Sequence, residues 1–502
     1  PRVPGYEVPP PGTPERLLRC PGVSRCNGAA LIDAGMIEVP QEGGNTVEYL
    51  YYTIIPDATG GRVLLLPEDG GWTLPHFARA ERHFWQEVDH INRAVQDLLN
   101  VTVTTLRCLR LEYESAAERV VAVYALESHT PAWTPPEGAR WVARGELGGV
   151  RLAIPEHGGL LRGWFAWLVA AGRSPLRVPW YKRGWFERAA AWLHRQLGRS
   201  GLAATGPIEQ LRSWQRSTVL RVPTTGRRFY FKAVPTMFAR ELSLTQALAR
   251  QYPASFPEVL AVDLAERWLL MPESGGETLD RVADVRLWEA ALRRYAEIQV
   301  ALARSPQRLL ALGCPDRRLG TLAGQVGALL ADTEAMLPER PGGLSHAQIA
   351  SLREYGGQLE AMCRRLDAYG IPASLEHGDF WAGQVVANGD ELVFIDWSDS
   401  SLAHPFFSLL FFSTTLELEQ FLPDVPDARL RLRDAYLEPW SAHAPRHQLL
   451  QAFELSQRLA PLHHALIYHQ LILPNMEIRW EMETMVPFFL KMLLPPESGL
   501  GA

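Results

Sequence analysis

The stretch His377–Trp397, HGDFWAGQVVANGDELVFIDW, carries the residue types that phosphoryl transfer requires, in a usable order. A His-Gly-Asp turn presents Asp379. A carboxamide, Gln384, follows, and after a predicted hairpin the β-run LVFID ends in Asp396. One aspartate can accept or orient the proton of an attacking hydroxyl. A carboxamide oxygen and a second carboxylate are hard donors suited to Mg²⁺ held against the phosphates of ATP. His377 is expected to brace the loop rather than react. A lone His-Gly-Asp triplet would be an ordinary turn; the spacing of the polar groups around a hairpin is what points to chemistry.

Such a site needs a grip on the phosphates, and the upstream sequence offers one. From about residue 206 the text reads as short strands: IEQLRSW, a turn, STVLRVPT, the turn TTGRR, then RFYFKAV with Lys232 inside it. MFARELSLTQALARQYP follows as a predicted helix with Glu241 near its start. A strand lysine that reaches the phosphates and a helix glutamate that holds it form a recurrent pair. The turn from Trp214 to Thr218 has no glycine, so backbone amides and the hydroxyls of Ser217 and Thr218 are expected to cover the phosphates. Met271 and Glu273 stand where a hinge would face the nucleotide base, and Pro272 between them removes one backbone N–H. Residues 280–370 read as long amphipathic helices, broken at about 312–320 by LGCPDRRLG.

Taken together, Lys232, Glu241, HGD at 377–379, Gln384 and IDW at 395–397 resemble the aminoglycoside phosphotransferase family, the kinase-like group that includes choline and other small-molecule kinases. The resemblance spans about residues 206–495. It implies a small β-rich lobe on a larger helical lobe, with ATP between them. It also implies Asp379 as catalytic base, Asp396 as principal Mg²⁺ ligand, Gln384 as second-metal ligand, and a small-molecule acceptor with a hydroxyl group. The spacing from Asp379 to Gln384 is that of the kinase catalytic loop, with Gln where Asn is usual. Phe380-Trp381 replaces the more usual Leu-His, and HPFFSL at 404–409 lacks the Asp often found after IDW. The family's C-terminal helices build its acceptor pocket. Here they bring Glu417, Glu419, Glu477, Glu481 and Glu483, either as pocket groups or as a solvated face, and His463, His464 and His469 as packing or pocket-lining residues.

Ahead of these lobes, NTVEYLYYTIIP, RVLLLP, VTVTTLRCLRLEYE and RVVAVYALESH read as strands around a predicted helix over 78–99. From Leu74 to Val101 the order resembles a Nudix domain. LPHF stands where that family has LPGG, and RAVQDLLNV stands on its metal box. Arg93, Val95 and Val101 fit, while Ala94, Asp97, Leu98 and Asn100 depart from the pattern, so the box lacks carboxylates needed for Mg²⁺ and a diphosphate. Two readings stand side by side: a Nudix-like binding module without Nudix catalysis, and an unrelated α+β domain. The Trp- and Arg-rich connector that follows shows helical spacing, and its Trp164, Trp167, Trp185 and Trp192 are expected between domains.

The expected architecture is α+β: residues 1–155 a Nudix-like α/β domain, 156–205 a helical connector, 206–275 a nucleotide lobe and 276–497 a catalytic lobe, together a bilobal protein-kinase-like fold behind an extra domain. A chain of 502 residues accommodates this at about 100–200 residues per domain. The net charge of −6 and the absence of a long basic run argue against nucleic acid. Five scattered cysteines suggest neither a zinc site nor a disulfide framework, which fits a reducing cytoplasm. GWFAWLVAAG and HPFFSLLFF are too short to span a bilayer, and the Pro-rich start has no apolar leader core. Alternatives to an ATP- and Mg²⁺-dependent kinase are a pseudokinase or nucleotide-binding scaffold, and a Nudix-type hydrolase with an accessory kinase-like half.

Overall fold

In the strand Arg228–Ala233, RFYFKA, aromatic and polar residues alternate, so Phe229 and Phe231 face one side of the sheet and Tyr230 and Lys232 the other. In the computed structural model this strand is central in a five-stranded antiparallel sheet, ordered 261–263, 268–272, 228–233, 217–223, 209–214. The structure describes residues 47–494 except 116, 131, 171–173 and 413–420. Residues 1–20, Cys20, Cys26, Glu417 and Glu419 therefore lie outside the described residues.

One face of the sheet is covered by the connector. Helix Trp185–Arg199 and the turn before it bury Trp180, Trp185, Trp192, Leu193 and Leu197 against Phe229, Phe231 and Trp268. Trp192 meets both Phe231 and Trp268 edge-to-face. With that face sealed, the other face of the sheet, which carries Lys232, looks toward the helical lobe. Helix Val285–Leu302 anchors that lobe by burying Trp288, Leu292, Tyr295 and Gln299, an i, i+4, i+7, i+11 stripe, and Asp284 caps its start. Helix His346–Asp367 starts in a capping box in which Ser345 and Gln348 satisfy each other's backbone N–H. Among the described residues no helix is long and apolar enough to cross a membrane.

The N-terminal part holds a four-stranded mixed sheet, ordered 76–79, 48–54, 119–128, 103–114, in which Glu48–Ile54 runs parallel to Arg119–Ser128. Helix Asp89–Leu99 contributes Ile91, Val95 and Leu99 to one cluster, while helix His157–Val169 contributes Leu161, Trp164 and Phe165 to another. The helix expected over 78–99 is corrected here. Residues His76–Arg79 are a strand, Phe84–Glu87 is a turn closed by Glu87 N–H donating to Phe84 O at 2.8 Å, and the helix begins only at Asp89. The turn and the residue after it find backbone partners on Glu209–Trp214: Val88 N–H donates to Leu211 O at 3.0 Å, and Ser213 N–H to Gln86 O at 2.9 Å, with Glu87 bridged to Arg212. Within the helix Ala94 is buried and Leu98 exposed, and Asn100 closes it in the left-handed region at φ 49°.

Gln210 locks the two parts together. Its Oε1 accepts from Thr105 N–H at 2.7 Å and from Asn92 Nδ2 at 3.2 Å, and its Nε2 donates to Thr105 O at 3.0 Å. The carboxamide thereby imitates a ladder pair of a sheet in a buried place.

Beneath the His-Gly-Asp turn lies a second buried lock. Glu376 Oε1 accepts from Gly378 N–H at 2.8 Å, and Oε2 meets His463 Nε2 at 3.0 Å and Ser401 Oγ at 3.2 Å. Burial alone would push the Glu376 carboxyl up, but His463 and these donors hold it down at about 2. Because that is below its ordinary 4.5, the contribution to stability is full above pH 4.5 and is lost as the pH falls through about 2. Glu376→Gln is expected to lower unfolding free energy at neutral pH by about 3 kcal/mol. It is also expected to flatten the decline between those two pH values, as measured by urea melts across the acid range.

Candidate active site

The cleft between the sheet and the helical lobe holds about 590 Å³ of space, its solvent mouth included. Lys232 projects into it from near the end of the central strand Arg228–Ala233. Its Nζ donates to Glu241 Oε1 at 2.7 Å and to Asp396 Oδ1 at 2.6 Å. Glu241 reaches it from the first turn of helix Arg240–Gln251, whose remaining buried residues are chiefly apolar. Burial opposes the charge on Lys232, but the two carboxylates overcome it and hold the ammonium protonated. Burial likewise opposes the charge on Asp396, and Lys232 keeps its carboxyl well below the usual range. On Glu241 burial pushes upward and Lys232 pulls back.

Asp396 has φ +60°, a left-handed conformation uncommon for a residue other than glycine. Its neighbours fix it there. Ile395 N–H donates to Gln384 O at 3.0 Å, Phe394 N–H to Ser255 O at 2.9 Å, and Ser398 Oγ to Asp396 Oδ1 at 2.8 Å. Strain of this kind is held by surrounding structure and concentrates at functional positions.

Asp379 follows Gly378, whose φ is +82° and where a Cβ would sit 2.6 Å from both Cβ and O of Asp399. Only glycine lets the turn lie that close. Asp379 Oδ2 accepts from Gln384 Nε2 at 3.3 Å. Burial and the nearby charge of Asp399 push its carboxyl up to about 7, with Arg216 pulling the other way. His377, fully buried, bonds through Nε2 to Ile395 O at 3.0 Å, and its Nδ1 accepts from Asp379 N–H at 3.4 Å. It ties the turn carrying Asp379 to the strand end carrying Asp396, and burial lowers its pKa.

The structure thus brings Lys232, Glu241, Asp379, Gln384 and Asp396 together, with His377 behind them. Other expectations are corrected. The Thr218 hydroxyl, fully buried, donates to Arg212 O at 2.9 Å and is not on the cleft wall. Ser217 does line the cleft, with its Oγ accepting from Trp214 Nε1 at 3.1 Å. Met271 pairs with Tyr230 across the sheet, and Glu273 turns its carboxylate to Arg228 Nε at 3.0 Å and Tyr230 OH at 3.2 Å, so neither lines this cleft. Glu477 binds Arg177, Glu483 binds Arg340, and Glu481 is buried against Gln215 and Tyr181. None of the three is a cleft group. His464 stacks on Phe489, and His469 bonds to Asp332 Oδ2 at 2.9 Å.

Sequence reasoning missed Arg216 and Asp399. Arg216 occupies the two-residue turn between strands 209–214 and 217–223, and its guanidinium forms a buried ion pair with Asp399 and donates to Tyr468 OH at 3.2 Å. The available signals were an arginine at the tip of the turn above the phosphates and an aspartate three residues after Asp396. The cleft wall also includes Phe84 and Gln86 from the N-terminal part.

Residues 207–450 match the sequence profile described as "Phosphotransferase enzyme family" (APH). No curated protein matches the chain. Among solved structures the chain is similar to a macrolide 2'-phosphotransferase type I, at 14% identity over 62% of this chain and 98% of that one, with a TM-score of 0.40. It is similar to a choline/ethanolamine kinase family protein from Mesorhizobium loti, at 18% identity over 62% and 96%, with a TM-score of 0.41. It is also similar to a choline kinase from Cryptosporidium parvum Iowa II, at 11% identity over 61% and 94%, with a TM-score of 0.45.

Proposed function

We propose that the chain transfers the γ-phosphate of ATP to a hydroxyl of a small molecule in an Mg²⁺-dependent reaction. The observation that carries this reading is Lys232 bonded at once to Glu241 and Asp396, in the cleft that also holds Asp379. Lys232 binds the α- and β-phosphates, with Glu241 keeping its ammonium aimed. Asp379 orients the acceptor hydroxyl and takes its proton as the oxygen attacks. A carboxyl raised to about 7 suits that task, because a general base works best with its pKa near the operating pH. Ser217 and the backbone of its turn lie over the phosphates. The base is read toward the Met271–Glu273 hinge position, where Glu273 N–H is already held by Arg228 O at 2.9 Å.

The residues present fit Mg²⁺. Asp396 offers a carboxylate held ionised, and Gln384 uses its Nε2 on Asp379 while its carbonyl oxygen makes no hydrogen bond to another side chain among the described residues. Hard oxygens of this kind are what Mg²⁺ takes. When bound, the ion would neutralise charge on the phosphates. Residues 206–275 and 276–497 are the two lobes in this reading. Residues 1–155 are a Nudix-like module whose box lacks the catalytic carboxylates, so it docks rather than hydrolyses.

A panel of amino alcohols, sugars and aminoglycosides, each incubated with protein, ATP and Mg²⁺, should reveal ATP consumption dependent on an acceptor; consumption with none of them would sink the reading. Asp379→Asn should reduce kcat by about 10²–10⁴-fold, the usual worth of a positioned base, while the thermal shift produced by a non-hydrolysable ATP analogue stays intact. Equal turnover in that variant would remove Asp379 from its role. Titrating the same analogue with and without Mg²⁺ separates a kinase from a scaffold, since Asp396 and Gln384 should make nucleotide affinity fall at least tenfold, about 1.4 kcal/mol, when the metal is chelated.

A further inference from the structure

Phe84–Val88 belongs in sequence to the N-terminal part but in space to the nucleotide sheet, extending it beyond strand Glu209–Trp214. This edge is the one farthest from strand Trp268–Pro272, with strands 228–233, 217–223 and 209–214 lying between. On the kinase reading above, on which this inference rests, Asp379 orients the acceptor hydroxyl, and Phe84 and Gln86 line the same cleft as Asp379 while Met271 and Glu273 at the hinge position do not. A side chain on that wall is placed to meet the acceptor rather than the adenine.

Two side chains do enter. Phe84 and Gln86 belong to one tight turn, closed by Glu87 N–H donating to Phe84 O at 2.8 Å, and both line the cleft with Arg216, Asp379 and Trp381. Phe84 is half-buried. Gln86 is only 6% exposed, and its Oε1 is buried without a hydrogen-bond partner among the described residues. Its backbone is held by Ser213, so the carboxamide is presented from a fixed rail. A buried carbonyl oxygen with no donor is costly to fold and is rare in native structures. A ligand that supplies the missing N–H or O–H removes that cost.

We propose that Gln86 is a specificity-determining residue of the acceptor site. Its Oε1 accepts a hydrogen bond from an amine or second hydroxyl of the acceptor, distinct from the hydroxyl that Asp379 orients, and Phe84 forms an apolar wall beside it. The acceptor is then a small molecule with at least two hydrogen-bond donors, and the site is shared between the N-terminal part and the two lobes.

The test uses the full chain and the best acceptor from the amino alcohol, sugar and aminoglycoside panel. Gln86→Leu keeps the volume and removes the carboxamide. It should raise the acceptor KM about fivefold, the worth of one hydrogen bond, while kcat and the KM for ATP stay near the parent values. The acceptor-free Tm should hold or rise, because an unpaired buried oxygen has gone. Gln86→Glu retains accepting oxygens and should keep the acceptor KM close to the parent. An unchanged acceptor KM in Gln86→Leu overturns the proposal and leaves the kinase reading standing. A fall in Tm with both KM values rising together also overturns it, since it marks a structural role. Absence of turnover in the parent with every acceptor takes down the kinase reading itself, and this proposal with it.

Discussion

A lysine that is only 8% exposed, on the central strand of a sheet, is tolerated when charges of the opposite sign meet its ammonium, and here two do. Much of the cleft follows from that requirement. Glu241 must arrive from the first turn of the helix after the lysine strand, which ties that helix to the sheet. Asp396 must arrive from the far lobe, across 164 residues of sequence, which ties the lobes to each other. Removing Lys232 would leave two carboxylates facing each other uncompensated in a dry place, a far larger penalty than losing a surface ion pair. The arrangement is therefore a structural pin between the sheet and the helical lobe as well as a candidate phosphate grip.

The same logic recurs one layer down. Glu376, His377 and Gly378 are consecutive, and each is pinned differently: Glu376 by His463 and donors, His377 by Ile395 O, Gly378 by its close approach to Asp399. The turn that presents Asp379 is held on three sides before any ligand binds. Preorganisation of this kind removes the entropy cost of assembling a site at the moment of reaction.

What was legible in the sequence was local. RFYFKA shows its two faces by alternation, VRLWEAALRRYAEIQVAL shows its stripe by period, and the spacing from Asp379 to Gln384 to Asp396 fits one loop and one hairpin. What was not legible depended on distant partners. HFWQEVDHINRAV has a helical pattern throughout, yet Phe84–Val88 is a turn and a bridge rather than helix, where an edge strand more than a hundred residues later offers its backbone groups. The Thr218 hydroxyl was expected over the phosphates by its type, but a nearer carbonyl, Arg212 O, took it. Arg216 and Asp399 meet across 183 residues, and no spacing rule reaches that far.

The placement of Phe84–Val88 bears on how the molecule is divided. By sequence the N-terminal part ends before the connector, and the lobes begin near residue 206. By hydrogen bonding the boundary is crossed in both directions: Gln86 and Val88 pair with the first lobe strand, and Gln210 of that strand pairs with Thr105 in the N-terminal sheet. These bonds lie in buried places, so separating the parts would expose backbone groups that have no other partner. The connector seals the opposite face of the same sheet with Trp185 and Trp192. The five-stranded sheet is thus bounded on its outer face and on its far edge by chain from outside the lobes. Any shape the cleft has at that edge is set by the N-terminal part, whatever its ancestry.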